Sequence, residues 1–459
     1  MKNSLKRSLG LYPTTAIVIG SVIGSGIFVS SAGMARQLGS APWLLSVWLV
    51  AGVMTLFGAF TQCELTGQMP RTGGLFEYFR EIYGDGFGFL YGWANFMIAG
   101  SGAIAAIAFI FASYAGEFFS LPRLSEAWEK WPLVIPYAGT LYPFADMGTK
   151  ALGATLILTL TAINARGVSL GAGLQSISTT AKVLALFIVV AGAFVLGSGS
   201  GTTANFFSAS TLAPASSIQD WKSIALAVTL ALSGAFWSYD GWGAVAYIAG
   251  EVKEPTRTIP RAILLGTAIF MSLYLLVNLA YLYILPIDQL GAVASDRVAS
   301  AVVSSFAGPL GASLIAGLIV LSTFDTVNGT ILTNGLVYYA MAQRGLFWKR
   351  AGAVHPDHGA PSWALWCQGL WAATLLLSGS FDLVTSMYVF VNWALYAMMG
   401  ISVFVLRRRN PGAARPFRIP GYPWVPAIYV LFAVTYVVFT WFANRQASII
   451  GVLLVLTGL

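Results

Sequence analysis

The chain has 459 residues, of which 57% are hydrophobic and only 9% are charged. Soluble domains carry about 25% charged residues, so the composition excludes a soluble protein and indicates an integral membrane protein. The formal net charge of +8 would also suit a nucleic-acid-binding protein, but the distribution of the basic residues along the chain excludes nucleic acid as a partner.

Twelve apolar stretches have close to the length of about 20 residues that a membrane-spanning helix needs. In chain order they cover approximately residues 10–37, 42–66, 87–118, 150–166, 172–198, 222–250, 260–286, 298–343, 362–380, 382–406, 424–443 and 446–458. The eighth is too long for one span, and we expect it to extend past the bilayer. The loops leave no room for a soluble catalytic domain, and no nucleophile–base pair or set of metal ligands is evident. The sequence therefore predicts an all-α, multi-pass membrane protein that is not an enzyme and uses no cofactor.

Two of these stretches contain segments that disfavour a continuous helix. In the first stretch, Gly20, Gly24 and Gly26 lie within seven residues, and each glycine costs a helix about 1 kcal/mol relative to alanine. The sixth stretch contains the second such segment, Phe236–Gly243. Close packing of helices through small residues would explain the first glycines alone. Paired interruptions, however, are typical of transport sites, so we expect both helices to be unwound near the middle of the membrane.

The two interrupted stretches are five spans apart, so they cross the membrane in opposite directions. Two five-helix halves in opposite orientations are the layout of inverted-repeat transporters. We accordingly divide the chain into a cytoplasmic N-terminal segment at 1–9, a first repeat at 10–200, a second repeat at 220–406 and two additional helices at 421–459. No similarity between the halves is visible in the sequence, so this division depends on the positions of the two interruptions.

The basic residues indicate which loops are cytoplasmic. If the N-terminus is cytoplasmic, seventeen of the 25 lysine and arginine residues lie in inner segments, seven lie in outer segments and one, Lys182, lies within a span. This bias follows the positive-inside rule. We therefore expect a protein of the plasma (inner) membrane with both termini in the cytoplasm, and the lipid bilayer accounts for the basic charge.

An unwound helix offers backbone hydrogen-bonding groups to a ligand. The half-helix that begins near Gly26 presents N–H groups and a partial positive charge, which suit a carboxylate. The half-helix that ends near Val22 presents carbonyl oxygens, and Trp237–Gly241 adds more of them; these suit an ammonium group. Donors and acceptors in uncharged backbone fit a zwitterion, so the predicted substrate is an α-amino acid.

Several side chains in the spans have more than one interpretation. Lys182 could replace a bound cation beside the first interruption, titrate and couple transport to protons, or snorkel to the cytoplasmic face. Asp240 could accept cationic substrates or brace the second interruption. The Trp237 ring could cover a bound substrate, with ordinary packing as the alternative. Glu64 is interpreted as structural, and no partner can be assigned to Asp325.

Several motifs resemble the amino acid–polyamine–organocation superfamily, among them Gly24-Ser-Gly-Ile-Phe28, Arg71-Thr-Gly-Gly-Leu-Phe-Glu-Tyr78 and Glu251-Val-Lys-Glu-Pro255. Within that superfamily, the L-type amino acid transporter family is resembled by Ala181-Lys182-Val-Leu-Ala, Trp237-Ser-Tyr-Asp-Gly-Trp242 and Phe390-Val-Asn-Trp393. The resemblance extends from about residue 8 to residue 425. It implies a twelve-helix fold with a five-plus-five inverted repeat, and sodium-independent amino acid exchange.

The resemblance also implies roles for individual residues. The backbone N–H groups of Ser25 and Gly26 would hold the substrate carboxylate. The carbonyl oxygens of Val22, Trp237 and Asp240 would hold its amino group, and the Trp237 ring would be the extracellular-side gate. Lys182 would occupy the region that holds sodium in related symporters. The remaining residues of the expected substrate site are Ile23, Gly24, Asn392 and Gly243, the last of which stands where relatives often carry asparagine and could enlarge the pocket.

Family members that pair with a heavy-chain glycoprotein carry a cysteine between the third and fourth spans, and residues 119–149 contain none. The chain therefore resembles a prokaryotic member that works without a disulfide-linked heavy chain. The leading hypothesis is an antiporter of neutral L-amino acids that works by alternating access. Proton-coupled symport and an exchanger that also accepts cationic amino acids stay open. A nutrient receptor that binds without transport is disfavoured by the short N-terminal segment.

Overall fold

The computed structural model describes residues 9–69, 73–136, 139–167, 172–199, 201–210, 220–293, 297–355 and 359–459. Within these ranges the structure is helical apart from two short antiparallel strands, β1 (Leu133–Ile135) and β2 (Gly139–Leu141). The α-helices are α1 (Leu11–Val22), α2 (Ser30–Leu38), α3 (Ala41–Gln68), α4 (Leu75–Tyr83), α5 (Asp85–Ala94), α6 (Gly100–Ala115), α7 (Glu126–Glu129), α8 (Met147–Ala165), α9 (Ala172–Val195), α10 (Trp221–Tyr239), α11 (Pro255–Ile284), α12 (Ile287–Gly291), α13 (Val298–Gln343), α14 (Ser362–Ser378), α15 (Phe381–Arg409), α16 (Trp424–Ala443) and α17 (Arg445–Leu456).

Each of the twelve predicted apolar stretches coincides with helical structure in the described ranges. The first forms α1 and α2, the third forms α5 and α6, and the sixth forms α10 and a 3-10 segment. Six segments are long and apolar enough to cross a membrane by length and composition: Ala41–Gln68, Asp85–Ala115, Pro255–Ile284, Val298–Gln343, Phe381–Arg409 and Trp424–Ala443. The predicted multi-pass helical architecture is thus confirmed, whereas the count of twelve spans stays a prediction.

Buried aromatic rings fix α10 against two neighbouring helices. Trp48 of α3 packs edge-on against Tyr239 of α10, with ring centroids 5.4 Å apart, and against Tyr274 of α11 at 5.9 Å. All three residues are buried, and edge-to-face contacts of this kind add to the energy of burial. The C-terminal end of α10 is therefore held against the packed pair formed by α3 and α11.

The long eighth stretch forms α13, which is bent rather than straight. Gly308 has a left-handed φ of 65° inside the helix, and Pro309 follows it. Proline has no N–H for the helical ladder, which accounts for a kink at this point. α13 packs against α9 and α6.

A π-helical turn at Asn95–Ala99 joins α5 to α6 and was not predicted. Such a turn leaves carbonyl oxygens without their usual helical donors. The Ser101 hydroxyl donates to the Phe96 carbonyl at 2.7 Å, and the Trp371 indole N–H donates to the Met97 carbonyl at 2.8 Å. Side chains thus satisfy the carbonyl groups that this turn frees.

A buried carboxylate ties the C-terminal part of α3 to the end of α15 and to the segment that follows it. Glu64 is fully buried and accepts two hydrogen bonds from the Arg407 guanidinium, at 2.8 and 2.7 Å. The Ile419 N–H donates to the same carboxylate at 2.9 Å, and Arg415 lies 3.7 Å away. This arrangement supports the structural interpretation of Glu64, because a buried charge needs such partners.

Candidate functional site

The first predicted interruption is present. α1 ends at Val22, a single 3-10 turn covers Gly26–Phe28, and α2 begins at Ser30. Ser25 and Gly26 are buried. Within the part of the chain that the structure describes, their backbone N–H groups donate no hydrogen bond. Buried N–H groups are rarely left unpaired in proteins. These two therefore indicate a position at which a ligand acceptor can bind.

The second interruption begins where α10 ends at Tyr239, and a 3-10 segment follows at Trp242–Glu251. In a continuing helix the Gly241 N–H would donate to the Trp237 carbonyl, but here it donates to Oδ1 of Asp240 at 2.8 Å. Aspartate side chains compete with helices in this way. Gly241 also has a φ of +105°, which favours glycine. The Trp237 carbonyl is thereby deprived of its helical donor.

The two interruptions contact each other at two points. A Cβ placed on Gly26 would lie 2.6 Å from Cα and Oγ of Ser238 in α10. A Cβ placed on Gly241 would lie 2.6 Å from the carbonyl oxygen of Ser21 in α1. Both glycines therefore permit a backbone approach that a side chain would prevent. At Gly24, by contrast, the nearest atom would be 3.7 Å away, an ordinary contact.

Side chains from other helices bind the carbonyl oxygens around the first interruption. The Tyr274 hydroxyl of α11 donates to the Val22 carbonyl at 2.8 Å, and the Gly24 N–H donates to the same oxygen at 2.7 Å. A carbonyl oxygen has two lone pairs, so the Val22 oxygen is fully occupied. Further along, the hydroxyls of Tyr281 and Tyr114 donate to the carbonyls of Ile27 and Phe28, at 3.2 and 2.9 Å.

Lys182 of α9 faces the first interruption. The side chain is 3% exposed, and Nζ donates to the Gly20 carbonyl oxygen at 3.0 Å. Asp325 of α13 is close enough to attract the ammonium group electrostatically. The side chain is therefore directed into the protein and does not snorkel. Asp325, which had no assigned partner in the sequence, is the acidic neighbour of Lys182.

The Asp240 carboxylate is bound by three side chains of α15. Oδ1 accepts from the Gly241 N–H and from the Tyr396 hydroxyl at 2.7 Å. Oδ2 accepts from the Tyr388 hydroxyl and from Nδ2 of Asn392 at 3.2 Å. These side chains line a small cavity with room for about one water molecule. Asn392, which was expected in the substrate site, lines this cavity and is a partner of Asp240.

Sequence reasoning missed Tyr388 and Tyr396, although a signal was present. Tyr388, Asn392 and Tyr396 are spaced four residues apart, which places three hydrogen-bond donors on one face of α15. A row of donors inside an apolar helix indicates a buried acceptor on the facing element. The facing element itself is not encoded in that spacing.

Trp237 joins α10 to α15 beside the same carboxylate. Its ring is 9% exposed and packs edge-on against Tyr388 at 5.0 Å and Phe381 at 6.3 Å between centroids. Its indole nitrogen is buried and has no hydrogen-bond partner within the described residues. These contacts are compatible with both interpretations of Trp237, as a gate over the substrate and as an ordinary packing residue.

Gly243 lies against α3 rather than beside an open pocket. Nε2 of Gln62 donates to the Gly243 carbonyl at 3.2 Å, and a Cβ on Gly243 would lie 2.7 Å from Oε1 of Gln62. The space beside this glycine is thus filled by the glutamine side chain. Ile23 is buried in the first interruption, with non-helical backbone angles.

Paired helix interruptions within a multi-pass helical bundle are typical of secondary transporters, and they place the chain in that class of membrane protein. The family described as amino acid permease matches residues 9–457, so the chain belongs to that family. The match confirms the resemblance to the amino acid–polyamine–organocation superfamily and, with the relatives below, to its L-type transporters.

Three proteins illustrate what the chain is similar to. The serine/threonine exchanger SteT of Bacillus subtilis is 29% identical over 430 residues, covering 93% of this chain and 90% of that protein. The large neutral amino acids transporter small subunit 2 of Rattus norvegicus is 30% identical over 459 residues, covering 99% and 80%. The b(0,+)-type amino acid transporter 1 of Homo sapiens is 28% identical over 432 residues, covering 94% and 82%.

Proposed function

We propose that this protein is a sodium-independent antiporter of neutral L-amino acids that works by alternating access in the plasma membrane. The observation that carries the proposal is the contact between the two interruptions, at Gly26 with Ser238 and at Gly241 with Ser21. This contact brings the Ser25 and Gly26 N–H groups, which donate no hydrogen bond among the described residues, close to the C-terminal end of α10. The names of the relatives, which include an exchanger, support the same function.

In the proposed binding mode the backbone recognises the part that all amino acids share. The N–H groups of Ser25 and Gly26 hold the carboxylate, with Ile23 and Gly24 shaping the turn. The Trp237 and Asp240 carbonyls hold the amino group, together with the Val22 carbonyl, from which the amino group displaces the Tyr274 hydroxyl. Charge-assisted hydrogen bonds to backbone groups are strong enough to bind a zwitterion without a charged side chain.

A five-plus-five inverted repeat is supported by the helix contacts, with halves at 10–200 and 220–406. In two equivalent halves, α1 corresponds to α10, α3 to α11, α6 to α13, α8 to α14 and α9 to α15. The α1–α11 contact then corresponds to the α10–α3 contact. The α6–α14 contact corresponds to α13–α8 in the same way, and α9–α13 corresponds to α15–α6. All six contacts are present. Such a repeat lets one site open to either side of the membrane. We further propose that both termini lie in the cytoplasm, as the distribution of basic residues indicates.

Sodium independence is supported by the position of Lys182. Its ammonium group donates to the Gly20 carbonyl, next to the first interruption, and Asp325 is its acidic neighbour. The Lys182 ammonium group places a positive charge where related symporters would hold a sodium ion. We propose that Lys182 couples the first interruption to α9 during exchange, and that no disulfide-linked heavy chain takes part.

The test is transport by the purified protein in proteoliposomes. We expect a labelled neutral amino acid to enter only when an amino acid is present inside, with equal rates in sodium and in potassium. Accumulation in empty vesicles under a pH gradient alone would instead establish proton-coupled symport. Binding of amino acids without any uptake would establish a receptor.

A further inference from the structure

We propose that Asp240 fastens the broken end of α10 to α15, through Tyr388, Asn392 and Tyr396, and does not bind the side chain of a cationic substrate. These four residues are called the Asp240 anchor below. The inference rests on the proposed amino acid transport and narrows its substrate class. It makes the Asp240 carboxylate and the Asn392 amide positioning groups rather than contacts of the substrate.

The hydrogen bonds of Asp240 leave no place for a cationic substrate. An ionised carboxylate accepts about four hydrogen bonds. Oδ1 accepts from Gly241 and Tyr396, and Oδ2 accepts from Tyr388 and Asn392, so all four positions are filled. The adjoining cavity holds about one water molecule, too little for an ammonium or guanidinium group with its stem.

The anchor also determines which backbone groups are free in the second interruption. By accepting the Gly241 N–H, the Asp240 carboxylate keeps the helix from continuing and leaves the Trp237 carbonyl without that donor. The partners on α15 hold the carboxylate in the orientation that does this. A shift of α15 therefore changes the position of the carbonyl groups proposed to bind the amino group.

Tyr388 links the anchor to Trp237, whose ring is expected to be the extracellular-side gate. Its hydroxyl donates to Asp240, and its ring lies edge-on to the Trp237 ring at 5.0 Å between centroids. One side chain thus contacts both the carboxylate and the aromatic ring. A displacement of the Tyr388 side chain would therefore act on the end of α10 and on the Trp237 ring together.

The experiment compares Asp240→Asn, Tyr396→Phe and the double variant with the unmodified protein in exchange assays. Tyr429→Phe is the matched control, because Tyr429 lines the same cavity and donates no hydrogen bond to Asp240 among the described contacts. The substrates are a neutral panel together with lysine and arginine. Each assay yields a maximal rate and a KM, normalised to folded protein.

The anchor predicts that each single variant raises KM and lowers the rate about tenfold for every neutral substrate, and that any uptake of lysine and arginine falls in the same proportion. The double variant should be no worse than Asp240→Asn alone, because the two residues act through one interaction. Tyr429→Phe should behave like the unmodified protein. A selective loss of lysine and arginine uptake in Asp240→Asn would overturn the proposal, as would an unchanged KM in both single variants.

The result also separates the anchor from the proposed function. If the unmodified protein transports no amino acid, the proposed function fails, and thermal unfolding of the same four proteins tests the anchor. Non-additive shifts in melting temperature for Asp240 and Tyr396 support it. Additive shifts overturn it.

Discussion

The Tyr274 hydroxyl donates a hydrogen bond to the Val22 carbonyl oxygen, which is proposed to bind the substrate's amino group. Together with the Gly24 N–H it fills both acceptor positions of that oxygen. Tyr274 and an incoming ammonium group therefore compete for one atom. We expect an ammonium group to displace the Tyr274 hydroxyl rather than the Gly24 N–H, because the hydroxyl belongs to a side chain and the N–H to the backbone of the interruption itself.

Removing the Tyr274 hydroxyl should strengthen the binding of substrate. We expect Tyr274→Phe to lower the Kd for amino acids between about 2-fold and 10-fold, which corresponds to one net hydrogen bond. Equilibrium binding to the purified protein measures this. Tyr281→Phe is the control, since its hydroxyl donates to the Ile27 carbonyl, which is not proposed to bind substrate. Weaker binding in Tyr274→Phe would show that the hydroxyl supports the site instead of occupying it.

A methyl group at Gly26 should separate the two interruptions. In Gly26→Ala the new Cβ would lie 2.6 Å from Ser238, so the backbones must move apart, and we expect exchange to fall by at least about 100-fold. Gly24→Ala is the matched control, because its Cβ has 3.7 Å to the nearest atom. Uptake rates at equal amounts of reconstituted protein give the answer. Equal rates in the two variants would contradict a requirement for close contact.

Loss of the Lys182 ammonium group should slow exchange while leaving the fold intact. The hydrogen bond to Gly20 involves a charged donor, so Lys182→Ala is expected to cost about 10-fold to 100-fold in rate. Lys150→Ala provides the comparison, because Lys150 is also buried but donates to the Pro143 carbonyl, away from both interruptions. Near-normal turnover in Lys182→Ala, with folding verified by its melting temperature, would refute the coupling role.

The Glu64 cluster should matter for stability rather than for recognition. Glu64→Gln leaves Arg407 and Arg415 without their negatively charged partner, and we expect the free energy of unfolding to fall by about 3 kcal/mol. This value is at the low end for a broken buried ion pair, because Arg407 is partly exposed. Glu117→Gln should cost less than about 1 kcal/mol, since its pair with Arg297 is nearer the surface. Thermal unfolding measures both. Similar melting temperatures for the two variants would mean that burial of Glu64 contributes little.

The sequence predicted the helical stretches and both interruptions because these depend on local properties. Hydropathy over about 20 residues reports burial in lipid, and the glycines at 20, 24 and 26 weaken a helix wherever it packs. The end of α10 was predictable for the same reason, since Asp240 competes for the Gly241 N–H within its own segment.

The partners of the interruptions could not be predicted, because they come from distant parts of the chain. Tyr274 in an apolar helix looks like any packing residue, and its contact with Val22 spans 252 positions. The expectation that Gly243 could enlarge the pocket had the same weakness, because Gln62, which fills that space, lies on another helix. Only the spacing of Tyr388, Asn392 and Tyr396 carried a local signal of the Asp240 anchor.

Recognition of the zwitterion by the two interruptions is tested most directly by competition binding with analogues of the preferred amino acid. One analogue carries an amide in place of the carboxylate, and another lacks the α-amino group. Because each lost group makes charge-assisted hydrogen bonds, both should bind at least about 10-fold to 100-fold more weakly than the parent. If either analogue competes as well as the intact amino acid, the backbone groups of Ser25, Gly26 and Trp237 do not form the site.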